Sequence, residues 1–125
     1  MEHEHTEFVA ALPERVFSAL ADVENLPRYV PQVIGAERID ADRVRIRARY
    51  EGHTQEGEAW FRADDSEHRI EWGSLDGGYH GWIEVTPERE GSRLRLFLAT
   101  VHGDAPDSEV MGTLDAIRRL VEANV

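Results

Sequence analysis

Apolar positions recur with two different periods along this chain, and the change of period divides it into helices and strands. In the last stretch, Pro106 to Val125, the residues Val110, Leu114, Ile117 and Val121 follow at spacings of four, three and four. At about 100° per residue this places them on one narrow stripe. Met111 and Leu120 widen the stripe, while Glu109, Asp115, Arg119 and Glu122 lie opposite, so the spacing predicts one long amphipathic helix whose apolar side needs a partner. Asp104 or Asp107 can accept hydrogen bonds from the first-turn amides, and Pro106 suits the opening turn. A second region of helical period lies near the start. Pro13 opens it, Val16, Phe17, Leu20 and Val23 carry it, and the helix is expected to run to about Ala21. Asp22 to Tyr29 reads as a further short helical turn, capped by Asp22 or Asn25 and bracketed by Pro27 and Pro31.

Elsewhere the period is two. Glu2 to Ala11 reads as a strand whose own pattern does not decide which face is inward. Gln32 to Ile39 is a weaker strand and Asp40-Ala41-Asp42 a turn. Arg43 to Tyr50 alternates cleanly, with Val44, Ile46, Ala48 and Tyr50 on one face and Arg43, Arg45, Arg47 and Arg49 on the other. Glu51-Gly52-His53 is expected to begin a loop. Glu56–Ala63, His68–Gly73, Tyr79–Thr86 and Arg93–His102 follow as strands, the last expected to be the longest. Asp64-Asp65-Ser66, Asp76-Gly77-Gly78 and Pro87 to Gly91 separate them as turns. Short polar turns between successive strands predict an antiparallel meander. The fold class is therefore α+β: a curved antiparallel sheet of about seven strands packed on the C-terminal helix, with two short helices after the first strand. Sheet and helix can enclose a cavity between them.

Length and composition fit one globular domain over residues 1–125: hydrophobic residues make up 41% and charged residues 31%, which a disordered chain would not show. No apolar run approaches the roughly 20 residues that span a bilayer. The start, Met-Glu-His-Glu-His, lacks a basic segment followed by an apolar one, so no signal peptide is expected and the cytoplasm is the expected location. The absence of cysteine excludes disulfides, thiolate nucleophiles and zinc–thiolate sites. The formal charge of −11 and pI near 4.9 oppose contact with phosphate backbones and anionic membranes, so nucleic acid is not expected as a partner. Every basic residue is arginine, which removes lysine Schiff-base chemistry.

The segment from Ala11 to Pro31, Ala-Leu-Pro-Glu-Arg-Val-Phe-Ser-Ala-Leu-Ala-Asp-Val-Glu-Asn-Leu-Pro-Arg-Tyr-Val-Pro, resembles the opening of the polyketide cyclase/dehydrase branch of the START-like, Bet v 1-like (SRPBCC) superfamily. The features that carry the likeness are a small residue and Pro-Glu before a Val-Phe helix, then Asp-Val-Glu-Asn-Leu-Pro leading to an aromatic and a proline. The segment is similar, less closely, to coenzyme Q-binding proteins. The resemblance implies a helix-grip fold over nearly the whole chain and an apolar ligand held beneath the last helix. It implies no shared catalytic motif and no cofactor.

Candidate site residues follow from the strand phases. Tyr50, Phe61, Trp72 and Tyr79 fall on the apolar phase of their strands; with Leu98, Val110, Leu114 and Ile117 they are the expected ligand-binding surface, a pattern that core packing also produces. Alignment to the family pattern places His3, His5, Glu7 and Val9 on the inner face of the first strand. If Phe8 stands opposite Phe97, His3 approaches His102, and three histidines could ligate a metal; an incidental cluster gives the same pattern, and no metal is assigned. Glu7 is a desolvated acid or base, the partner of an arginine, or a residue at an exposed end of the strand. Catalysis would fall to Glu7, Tyr50, Tyr79 and His102. Arg45, Arg47 and Arg49 with Glu56, Glu58, Glu71 and Glu84 are expected to pair on a solvated face. Trp60 and Trp82 belong to the outer phase, where a dimer contact is conceivable, and Gly77, Gly78 and Gly81 are turn and close-approach glycines because no helix follows them as a phosphate loop requires.

The expected function is binding of a small hydrophobic or aromatic, polyketide-like or lipid-like molecule, with cyclisation or dehydration as the chemistry if there is any. The alternatives are a non-catalytic lipid or quinone carrier and a packed domain acting through protein contacts, as a monomer or homodimer.

Overall fold

The computed structural model describes residues 2–30, 33–50, 52–75, 79–100 and 107–122; within these, the side chains at 2, 3, 50, 79, 100 and 107–110 are not described. Strand β1 (Glu2–Val9) leads into helix α1 (Pro13–Ala21). Pro13 sits in the first turn of α1, where its missing N–H costs nothing, and Leu12 contributes no side-chain cap. The helix buries Val16, Phe17 and Leu20 as its period predicts. The following turn splits in two: a 3-10 turn at Val23–Asn25, with the Asp22 carboxylate accepting from Glu24 N at 3.0 Å, and helix α2 (Leu26–Tyr29). Buried Tyr29 donates its hydroxyl to the Leu20 carbonyl at 2.9 Å and so locks α2 onto α1.

Strands β2 (Val33–Arg38), β3 (Arg43–Tyr50), β4 (His53–Asp64), β5 (Arg69–Ser74), β6 (Tyr79–Glu88) and β7 (Gly91–Thr100) then form hairpin after hairpin. The sheet has seven strands in the order β1-β7-β6-β5-β4-β3-β2, every neighbouring pair antiparallel. Helix α3 (Asp107–Glu122) follows and packs on α1, α2 and β1. This is the helix-grip α+β arrangement that the sequence predicts.

Several boundaries differ from expectation. The longest described strand is β4, with 12 residues, because pairing of Tyr50 with His53 converts the expected loop into a tight turn in which Gly52 adopts a φ of 81°. The turn after β6 also tightens: Glu88 pairs with Gly91, and Glu90 takes the left-handed conformation at φ 61°. Pro87 is tolerated inside β6 because it lies beyond Arg69↔Glu84, the last pairing with β5.

The register of β1 on β7 is also corrected. Glu4, not Phe8, stands opposite Phe97, and Phe8 stands opposite Arg93. The end of the ladder explains the choice. Gly91 leaves room for the Val9 carbonyl, which any Cβ at 91 would strike, and the buried Ser92 hydroxyl donates to the Ala11 carbonyl at 2.7 Å. These contacts fix Val9 beside Ser92. His3 consequently pairs with Leu98 and does not continue along β7 towards residue 102.

The core lies between the inner face of the sheet and the helices. Val9, Val16, Leu20, Ile70, Ile83, Leu94 and Ile117 are each 0% exposed. The α3 stripe buries Leu114, Ile117 and Val121, whereas Met111, expected to widen it, is 60% exposed. On the outer face, Trp60 stacks on His80 and Trp82 stacks on Phe97 at a centroid distance of 5.4 Å.

Candidate functional site

Alternation along β3 turns Val44, Ile46 and Ala48 inward, and the β3–β4 register sets Ala59, Gly57 and Gln55 opposite them. Phe61 and Trp72 then face each other across β4 and β5. Small side chains at Ala48, Gly57 and Ala59 leave this end of the sheet's concave face under-filled. Leu26 and Val30 from the α2 region and Val33 of β2 overhang it. The result is an open cavity of about 430 Å³, within the range of sites that take small ligands, with a mainly apolar wall. Gln55 and Ser74 supply polar groups on the inward phase. At the rim, Glu56 and Glu58 are held by Arg43, Arg45 and Arg47 at 3.6 to 4.0 Å on the solvent side. These exposed pairs frame the mouth without a charge on its apolar floor.

Trp72 owes its position to a glycine. A Cβ placed on Gly81 would stand 2.6 Å from the Trp72 ring and 2.7 Å from a Leu98 methyl, so the indole of β5 leans over Gly81 of β6 on the side of Leu98 of β7. The same device recurs on the outer face, where the Trp60 ring occupies the space above Gly73. The reading of Gly81 as a close-approach glycine is thus given its partners; Gly77 and Gly78 lie outside the described residues.

Of the expected binding residues, Phe61 and Trp72 line the cavity. Leu98, Leu114 and Ile117 are buried in the common core, and among the described residues the cavity wall comes from the α2 region and β2–β5, with none from α3. Tyr50, Tyr79 and Val110 belong to β3, β6 and α3, but their side chains, like the whole of His102, lie outside the described residues. Glu7 faces inward at the opposite edge of the sheet and meets Arg118 of α3 at 3.6 Å, with Glu122 accepting from Ala10 N at 2.8 Å nearby. That is the arginine-paired alternative, and it anchors α3 to β1. Among the described residues no three His, Asp or Glu side chains stand close enough to hold a metal ion.

Leu26, Val30, Val33, Gln55 and Ser74 are wall residues that the sequence candidates do not include. Leu26 and Val30 do repeat at the helical interval of four, flanking Pro27 and ending before Pro31, a signal of a short apolar ridge. Gln55 and Ser74 lie at strand ends, where the expected boundaries stop short.

The arrangement of sheet, α1–α2 and C-terminal helix can be set beside known proteins. Residues 2–125 match the family described as "Polyketide cyclase / dehydrase and lipid transport". The chain belongs to that family. Solved structures similar to this chain include TTHA0849 from Thermus thermophilus, with 26% identity and a TM-score of 0.79 over 99% of each chain. The Zhui aromatase/cyclase from a Streptomyces species shares 20% identity at a TM-score of 0.82, over 98% of this chain and 93% of its own. A START superfamily protein from Mycobacterium smegmatis shares 16% identity at a TM-score of 0.81, over 99% of both. The latter two likenesses establish the shared fold. Among curated proteins none matches significantly. No helix among the described residues is long and apolar enough to cross a membrane.

Proposed function

We propose that this polyketide cyclase/dehydrase family member binds a small, flat hydrophobic molecule in the cavity between α2 and strands β2–β5, acting in the cytoplasm as a single domain. The observation that carries the reading is the cavity's apolar wall, with Phe61 and Trp72 paired across β4 and β5 and Gln55 and Ser74 as polar groups able to orient a ligand. Aromatic walls favour planar ligands by offset stacking, and burial of the ligand's apolar surface supplies the driving force. The family description and the aromatase/cyclase name of a fold relative support a polyketide-like ligand, with cyclisation or dehydration as the chemistry. Such a reaction needs a folded substrate conformation more than strong acid–base groups. Tyr50, Tyr79 and His102 are the residues proposed for proton transfer. Glu7, paired with Arg118, is proposed as an anchor in place of its acid–base role.

Native mass spectrometry of freshly purified protein, followed by extraction of any adduct, tests the reading. A polyketide, quinone or lipid adduct supports it, and incubation of an extracted compound with fresh protein separates carrier from enzyme by whether it returns altered. If no compound adds to the protein even after incubation with hydroxylated naphthalenes, the ligand reading fails.

A further inference from the structure

We infer that Gly81 is a specificity-determining residue: the absence of its Cβ parks the Trp72 indole against Leu98 and sets how large a ring system the cavity accepts. This inference rests on the ligand-binding reading above and adds to it the residue that sets ligand size.

Trp72 lines the cavity, so the direction in which its ring leans fixes the free space beside Phe61. The cavity lies on the β3–β4 side of β5, whereas the ring leans the other way, over β6. It can do so because Gly81, directly opposite Trp72 in the ladder, presents no side chain. Leu98, opposite Gly81 on the next strand, closes the far side of the slot. A Cβ at 81 would stand 2.6 Å from Cζ2 and 2.9 Å from Cε2 of Trp72. Ring atoms do not compress, and the indole must retreat by roughly 1 Å before its contacts become ordinary. Leu98 is 8% exposed and packed in the core, so the ring cannot escape in that direction. The open direction is back over Phe61, into the ligand's space.

The test compares wild type, Gly81→Ala, Gly81→Ala with Trp72→Phe, and Trp82→Phe with two probes, 1-naphthol and the four-ring 1-hydroxypyrene, by isothermal titration. Wild type is expected to bind both. Gly81→Ala should keep 1-naphthol within about twofold and weaken 1-hydroxypyrene by roughly tenfold or more, the scale on which an apolar pocket discriminates. The smaller ring in the double variant should restore 1-hydroxypyrene binding, and Trp82→Phe, outside the cavity lining, should change neither affinity. If Gly81→Ala binds both probes as wild type does, or weakens both equally without rescue by Trp72→Phe, the assignment of Gly81 is overturned while the cavity stands. If wild type binds neither probe, the ligand-binding reading falls and takes this inference with it.

Discussion

Arg118 of α3 stands 3.6 Å from Glu7 of β1, an ion pair between two elements at opposite ends of the chain. The Glu7 side chain is 25% exposed and that of Arg118 is 44% exposed, so solvent screens the pair and its contribution is at most about 1 kcal/mol. Glu7→Gln should therefore shift the urea midpoint only slightly and leave 1-naphthol affinity unchanged. Loss of binding with an unaltered midpoint would return Glu7 to the ligand site.

Ser92 gives a larger effect. Among the described residues it is the buried polar side chain of the core, and its hydroxyl satisfies the Ala11 carbonyl where the chain leaves β1 for α1. Ser92→Ala leaves that carbonyl without its partner, at a cost of about 1 to 3 kcal/mol. The check is chemical denaturation: the midpoint should fall with an unchanged m-value.

Tyr29 makes stability depend on pH in the alkaline range. Burial, reinforced by the nearby charge of Asp22, raises its phenol above the usual tyrosine range. The folded state thus holds its proton more tightly than the unfolded chain, so stability is complete below the unfolded pKa of about 10 and declines as pH rises past it. The chain contains no lysine, so this window is nearly free of other titrations apart from two further tyrosines. Thermal melts between about pH 9 and about pH 11.5, the range that brackets an ordinary phenol, should fall more steeply for wild type than for Tyr29→Phe. Equal slopes would contradict the burial of the charged form as the cause.

Much of the fold can be read from the chain because burial of one face leaves a periodic trace. The alternation from Val44 to Ala48 and the stripe of Leu114, Ile117 and Val121 each predict the buried side, as the exposures show. The β1–β7 register is not legible for a related reason. A slip of four residues is even, so it returns every side chain to the same face and the hydrophobic pattern cannot sense it. What decides it is a steric fit at Gly91 and a hydrogen bond from Ser92, both of which need the third dimension. The Gly81–Trp72 relationship is hidden similarly, since a glycine's neighbour across a ladder depends on where the intervening turn closes. Phe61 and Trp72 are legible as inward aromatics; Leu26 and Val30 become wall residues only when α2 folds over β2.

The central claim is that the concave face beside Trp72 receives an apolar ligand, and the most direct measurement is NMR mapping of 1-naphthol titrated into the labelled protein. Saturable shifts should concentrate on the methyls of Val33, Val44, Ile46 and Ala59 and on the Trp72 indole, leaving Trp82 and Phe97 on the outer face unmoved. An absence of saturable shifts, or shifts confined to Trp82 and Phe97, would contradict it.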